Sequence, residues 1–156
     1  MIRILAIGRN KDKSLKQLEA EYVKRIGAFD KVVIEEFKDE PNDKVEREAE
    51  ARKVKDAEAQ RVLAKIKSTD TVVLLDLHGR MPDSLQFAKD LRKWHDGGSL
   101  VFVIAGSLGP GDALVKRANF RLKLSDLTFT HLMTRVLLLE QIYRGFMIDA
   151  GRTYHK

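Results

Sequence analysis

The segment Thr71–Leu77 constrains the fold more than any other part of this chain. It is continuous in Val and Leu up to Asp76, with none of the polar alternation of a half-exposed strand. Such a strand is buried on both faces, as strands inside parallel sheets are. A parallel sheet in turn needs a helical crossover between one strand and the next. The remaining sequence supplies both parts. Ile2–Ile7 and Leu100–Ala105 are short apolar runs, Val32–Phe37 reads as a further strand, and Phe120–Leu124 is a fifth candidate strand.

Between these runs the spacing changes to three and four. Leu15, Leu18, Tyr22, Ile26 and Phe29 mark one apolar stripe of a helix beginning after Ser14, a suitable N-cap. Asp43–Lys67 is mostly Lys, Glu, Arg and Ala, with Val54, Leu63 and Ile66 as apolar anchors, and reads as a largely solvated helix. Ser84 precedes a helix whose core side is Leu85, Phe87, Ala88, Leu91 and Trp94, stopped by Gly97 and Gly98. A short helix over Asp112–Ala118 and a long one from His131 to about Ala150, capped by Thr130, complete the series. Alternation of this kind predicts an α/β fold with a mostly parallel sheet and helices on both faces.

The chain has 156 residues, 44% of them hydrophobic, and no Pro/Gly/Ser linker, so a single domain over residues 1–156 is expected. With no cysteine there are no disulfides, thiolate zinc sites or Cys nucleophiles. No segment is long and apolar enough to span a bilayer, and Met1–Ile7 lacks the basic leader and cleavage site of a signal peptide. A soluble cytoplasmic protein without a membrane partner is expected. A net charge of +6 favours polyanionic partners.

Chemistry-bearing residues concentrate after Ser99. Gly106-Ser107-Leu108-Gly109-Pro110-Gly111 follows a strand, yet its glycines do not have the G-x-G-x-x-G spacing of a dinucleotide loop, and no Gly-Lys-Ser/Thr marks a P-loop. Two readings remain, a backbone surface that approaches a ligand and a tight turn. Asp76 either lines a crevice or caps the turn at Gly79. His78 and His131 have no second ligand at metal spacing, and no metal site is expected.

Apolar residues from Leu132 to Ile148 wrap more than one face of the last helix, which points to burial on two sides and hence a dimer. Arg135 or Arg144 buried there needs a carboxylate or phosphate partner. The tail ends Arg152, Tyr154, His155, Lys156, a composition suited to phosphates and a stacked base unless the terminus is merely disordered.

Several of these segments occur together in one known family. Val101–Gly106, the run Leu124–Phe129 followed by His131, Arg135-Val136-Leu137 with Glu140-Gln141-Ile142-Tyr143-Arg144, and the closing Tyr154-His155-Lys156 resemble the SPOUT-superfamily methyltransferases that modify a pseudouridine in 23S rRNA. The likeness extends over the whole chain. It implies a C-terminal part threaded into a deep trefoil knot, against the usual rule for chain connections. It also implies a homodimer that uses S-adenosyl-L-methionine and methylates N3 of pseudouridine 1915 in 23S rRNA within the ribosome. By position, the cofactor would lie on Leu75, on Ala105 and Gly106, and on Leu124, Ser125, Asp126, Leu127, Thr128 and Phe129. Arg144, Tyr154 and His155 would organise the base, with His155 as proton acceptor and the tail of one subunit serving the other. Two positions depart from the family pattern: Ala105 stands where glycine is common, and Thr130 where proline is common. The alternatives are an rRNA-binding assembly factor without catalysis and a SPOUT enzyme acting on tRNA.

Overall fold

The computed structural model describes residues 1–42 and 46–156. In chain order the elements are β1 (Ile2–Ile7), α1 (Lys13–Ile26), β2 (Val32–Phe37), α2 (Glu48–Leu63), β3 (Thr71–Arg80), α3 (Ser84–Asp96), β4 (Leu100–Ile104), α4 (Asp112–Arg117), β5 (Phe120–Leu122) and α5 (His131–Asp149). The five strands form one sheet in the order β2-β1-β4-β3-β5, and every pairing is parallel. The alternation of apolar runs and helices is therefore realised as an α/β fold.

Side chains leave a strand alternately to its two faces. Ile2, Ile4 and Ala6 of β1 join Val73 of β3 and Phe102 of β4 in a core closed by Ile26 of α1, Leu91 and Trp94 of α3, and Leu138 and Ile142 of α5. Leu5, Ile7, Leu74 and Val103 point the other way and are covered by Ala59 and Val62 of α2 and Leu114 of α4. Helices α1, α3 and α5 thus share one face, and α2 and α4 the other. Each fully buried Leu, Ile or Phe contributes about 1.5–3 kcal/mol.

Several boundaries differ from the reading of the sequence. Asp12, not Ser14, caps α1 by accepting from Leu15 N at 3.0 Å, and Asp83, not Ser84, caps α3 by accepting from Gln86 N at 2.8 Å. In each case a carboxylate slightly earlier in the chain takes the first free N–H groups. Ser84 instead donates to Gln141 Oε1 of α5 at 2.7 Å. Leu85 is 52% exposed, so it is no core residue. Strand β3 runs on to Arg80 because Leu122 of β5 registers against both Leu75 and Arg80. At that crossing a Cβ on Gly79 would lie 2.6 Å from the Arg121 carbonyl carbon.

Helix α2 begins at Glu48, and Asp43, included in the expected helix, lies outside the described residues. Its buried residues are Glu58, Ala59 and Val62, whereas Val54 is only half-buried. The broad apolar surface of α5 has a cause within the chain: Val136, Leu138, Leu139 and Ile142 are buried between the sheet, α1 and α3. Thr130 caps α5 as expected, although its bond from Met133 N is long at 3.4 Å.

Candidate cofactor loops and C-terminal cluster

Strands β4, β3 and β5 are neighbours, and because they are parallel their C-terminal ends share one edge of the sheet. The three loops singled out in the sequence leave from that edge, where ligands of open α/β sheets bind. After β3's apolar stretch, Leu75 is half-buried and Leu77 is 67% exposed. Asp76 serves the turn: Oδ1 accepts from His78 N at 3.0 Å and Oδ2 from Arg121 Nε at 2.6 Å. That pair also ties the C-terminal half of β3 to β5.

After β4, Gly109 N donates to Gly106 O at 3.0 Å, a tight turn. Ala105 has an ordinary negative φ, since no non-glycine residue among those described has a positive one. The Ala105 departure thus brings no backbone strain here. Gly106 meets Glu58 of α2 so closely that a Cβ would lie 2.8 Å from Oε1. Ser107 Oγ accepts from Asn42 Nδ2 at 2.6 Å.

After β5, Leu124 packs on the core while Asp126, Leu127, Thr128 and Phe129 are exposed. Asp126 pairs with Lys123. Of the backbone N–H groups in Leu124–Phe129, Leu127 alone among the described residues has a partner, Ser125 Oγ at 3.0 Å. A run of free backbone donors and acceptors on an open edge suits a ligand held through the main chain rather than by charged side chains.

A second cluster sits on the last turns of α5. Gly151 adopts φ +66, a left-handed conformation that glycine reaches without a Cβ penalty. Gly151 N then donates to Ile148 O at 3.0 Å and Arg152 N to Met147 O at 2.9 Å, closing the helix and turning the tail back along it. Arg144 donates from Nε (3.0 Å) and Nη2 (2.6 Å) to Glu140 Oε1, and from Nη1 to His155 Nδ1 at 3.1 Å. Its guanidinium lies 4.7 Å above the Tyr154 ring, and Tyr154 Oη donates to the same Glu140 oxygen at 3.2 Å. Burial and the Glu140 carboxylate both raise the Tyr154 phenol above its ordinary value.

Arg144, Tyr154 and His155 are thus brought together, and the three strand-end loops are brought together, but the two groups do not meet within one chain. Thirteen residues of helix, about 20 Å, separate His131 at the loop edge from Arg144.

Arg135 has a structural occupation. It is 1% exposed, donating from Nη1 to Glu36 Oε2 at 2.7 Å and from Nη2 to Gly8 O at 2.6 Å, with Glu19 at 3.9 Å. Despite burial, hydrogen bonding from Arg135 holds the Glu36 carboxyl below its ordinary range. His131 stands beside this network, its pKa lowered by burial and by Arg135. No group of three or more His, Asp or Glu among the described residues is placed to hold a metal. No described helix is long and apolar enough to cross a membrane. A cavity of about 230 Å³ between α3 and α5, lined by His95, Arg92 and Asp149, lies away from these loops.

Sequence reasoning missed Glu58 and Asn42, both of which touch the loop after β4. Their signal was weak: a glutamate in a highly charged helix looks solvated, and only its neighbours Ala59 and Val62 hint at a buried face.

A family model described as a predicted SPOUT methyltransferase matches residues 1–155. The chain belongs to the SPOUT methyltransferases. It is 44% identical over 157 residues to the ribosomal RNA large subunit methyltransferase H of Latilactobacillus sakei, with 99% of each chain covered. Proteins of the same name from Listeria monocytogenes serotype 4a and Ligilactobacillus salivarius are each 45% identical over the same span. In this SPOUT chain the all-parallel sheet and the grouped loops after β3, β4 and β5 agree with what the resemblance implies for the fold.

Proposed function

We propose that the protein transfers the methyl group of S-adenosyl-L-methionine to N3 of pseudouridine 1915 in 23S rRNA, on the assembled ribosome and as a cytoplasmic homodimer. The observation that carries this reading is the 44–45% identity, over 99% of each chain, to proteins named ribosomal RNA large subunit methyltransferase H. The trefoil knot belongs to the same reading, supported by the register of Leu122 against both Leu75 and Arg80, a shift that sets the exit of β5 against residues 76–79 of β3.

The cofactor would be held by Leu75, by Ala105 and Gly106, and by the backbone of Leu124–Phe129. Bound there, it supplies an activated methyl and a good leaving group. The rest of the work falls to side chains of the second cluster, which must reach the loop edge from a partner subunit. Their separation along α5 supports that arrangement, as do the exposed Leu77, Met81, Leu127, Phe129 and Met133 near the loops. Exposed apolar side chains of this kind suit a second copy.

Tyr154 presents an aromatic face to the base, Arg144 helps organise it, and Arg152 and Lys156 present charge to the neighbouring phosphates. While Arg144 occupies Nδ1 of His155, the imidazole offers the base an N–H from Nε2. Taking the imide proton on Nδ1 requires Arg144 to turn away first. Positioning N3 in line with the methyl then does most of the catalytic work.

The test is methyl transfer from labelled cofactor to unmethylated ribosomes, separate subunits, free 23S rRNA and tRNA in parallel, with the product nucleoside identified. Label in N3-methylpseudouridine of large-subunit rRNA is expected. Label in tRNA alone would overturn the assignment.

A further inference from the structure

Helix α2 carries no residue of the proposed site, yet the loop after β4 rests at two points on it and at a third on the connection that leads to it. Glu58 is 4% exposed and lies flat against Gly106, with Oε1 and Oε2 2.8 and 3.1 Å from where a Cβ would stand. A Cβ on Gly111 would come within 2.8 Å of the Lys55 carbonyl oxygen and 3.1 Å of Ala59 Cβ. Asn42, in the connection leading to α2, donates to Ser107. Glu58 Oε2 also accepts from Glu40 N at 3.1 Å, so one carboxyl joins the β2–α2 connection to the loop.

We propose that Glu58 is a positioning residue for the cofactor loop, and that the loop is set for its ligand only while Glu58 carries a proton. This rests on the function proposed above. The charged groups around Glu58 explain why its ionisation matters. From the β2–α2 connection come Asp39 and Glu40, the latter taken up by Arg61 of α2, which also donates to Lys38 O. Ile7 of β1 lies on the same side of Gly106, 3.2 Å from where its Cβ would stand, and the loop itself contributes no titratable group between Ala105 and Gly111. His131 of α5 lies near enough to Asp39 to be influenced by it. No cation pairs with Glu58 among the described residues.

An ionised carboxylate buried beside a second carboxylate must be hydrated. Water reaches this one when Gly106 lifts from it, which moves the loop. Burial and Asp39 push Glu58 up to about 7, so the proton exchanges with solvent in the physiological range.

The test measures affinity for S-adenosyl-L-methionine in the wild type, Glu58→Gln and Asp39→Asn between about pH 6 and pH 8.5, using full-length protein. Taking the ratio of variant to wild type removes the titration of the ligand itself. Glu58→Gln should match the wild type near pH 6 and bind up to about thirty-fold more tightly near pH 8.5. Asp39→Asn, on the exposed side, should shift the wild-type fall in affinity to higher pH, since Asp39 disfavours ionisation.

Hydrogen exchange of residues 105–111 in ligand-free protein is read alongside. It should show pH-dependent protection in the wild type, relative to Glu58→Gln. If both proteins bind the cofactor with the same pH profile, or if their exchange does not differ, the role of Glu58 is overturned. If exchange differs as expected but no cofactor binds at any pH, the proposed function fails instead.

Discussion

Arg144 donates from Nη1 to Nδ1 of His155 across 3.1 Å, and because a guanidinium has no lone pair to offer, the histidine must be unprotonated at that nitrogen. The same guanidinium lies over Tyr154 and grips Glu140. One side chain therefore sets the tautomer of the histidine and the placement of the tyrosine together.

Replacing Arg144 with Lys keeps the charge and loses the fork. Single-turnover methyl transfer to unmethylated ribosomes should slow by about a hundredfold, the scale of a lost positioned proton-transfer partner. Cofactor affinity should be unchanged, because the loops that hold it lie elsewhere. An equal loss in both quantities would place Arg144 in the cofactor site.

Ending the chain after Ala150 removes Tyr154 and His155 without touching a strand-end loop. Cofactor binding should survive and methyl transfer should not. Mixing the truncated protein with a full-length chain carrying a damaged Leu124–Phe129 loop should restore part of the activity, measured after subunit exchange, since each then supplies what the other lacks.

Arg135→Met leaves Glu36 without its buried partner and Gly8 O without its donor. Urea unfolding should show a loss of about 3–5 kcal/mol, the usual cost of breaking a buried pair from one side. Adding Glu36→Gln should recover part of it.

Gly79→Ala forces a Cβ against the backbone of Arg121, 2.6 Å away. Overpacking of this sort costs about 1–3 kcal/mol. Because the clash lies where β5 registers on β3, cofactor affinity should fall with stability. Calorimetric binding and a denaturation curve on the same protein check both.

The pH dependence of stability follows from Glu58. Its folded pKa is raised to about 7, so the contribution is fully present below the ordinary carboxyl value and is lost as pH rises through 7. Glu58→Gln should remove that loss, making the variant more stable than the wild type by at most about 3 kcal/mol near pH 8.5. His131 works in the opposite direction: its lowered pKa gives stability that is present above the ordinary imidazole value and is lost as pH falls through the folded one. Denaturation midpoints across the range separate the two.

The strands β1 and β4 were legible because burial on both faces leaves little but Val, Ile, Leu and Phe, whereas the edge strand β2 keeps Glu35 and Glu36 and was carried by Val32, Val33, Ile34 and Phe37. Helix starts were less so: Ser14 and Ser84 have the chemistry of a cap, but Asp12 and Asp83 do too, and only the path of the chain decides between them. The apolar breadth of α5 was visible, yet its meaning was divided. Leu138 and Leu139 are buried inside the chain, whereas Met133 remains exposed. Periodicity alone does not tell a helix flanked by two others from one that meets a second copy. The loops after β3, β4 and β5 were recognisable one by one, but that they adjoin follows from the order β4-β3-β5, which no local pattern encodes. Glu58 escaped notice because a carboxylate among the seven other charged residues of α2 gives no sign that it faces inward.

The strand order also bears on how the chain is made. Strand β1 finds β2 early, but β3 pairs only with β4 and β5, both synthesised after it. A segment with two apolar faces therefore emerges with no strand beside it, and stays so until Leu100–Ile104 follows. Vectorial synthesis exposes such a segment to aggregation for that interval. The charged α2 before it and the amphipathic α3 after it flank it during that interval, so helices forming on either side keep solvated residues beside an apolar strand until its partner is made.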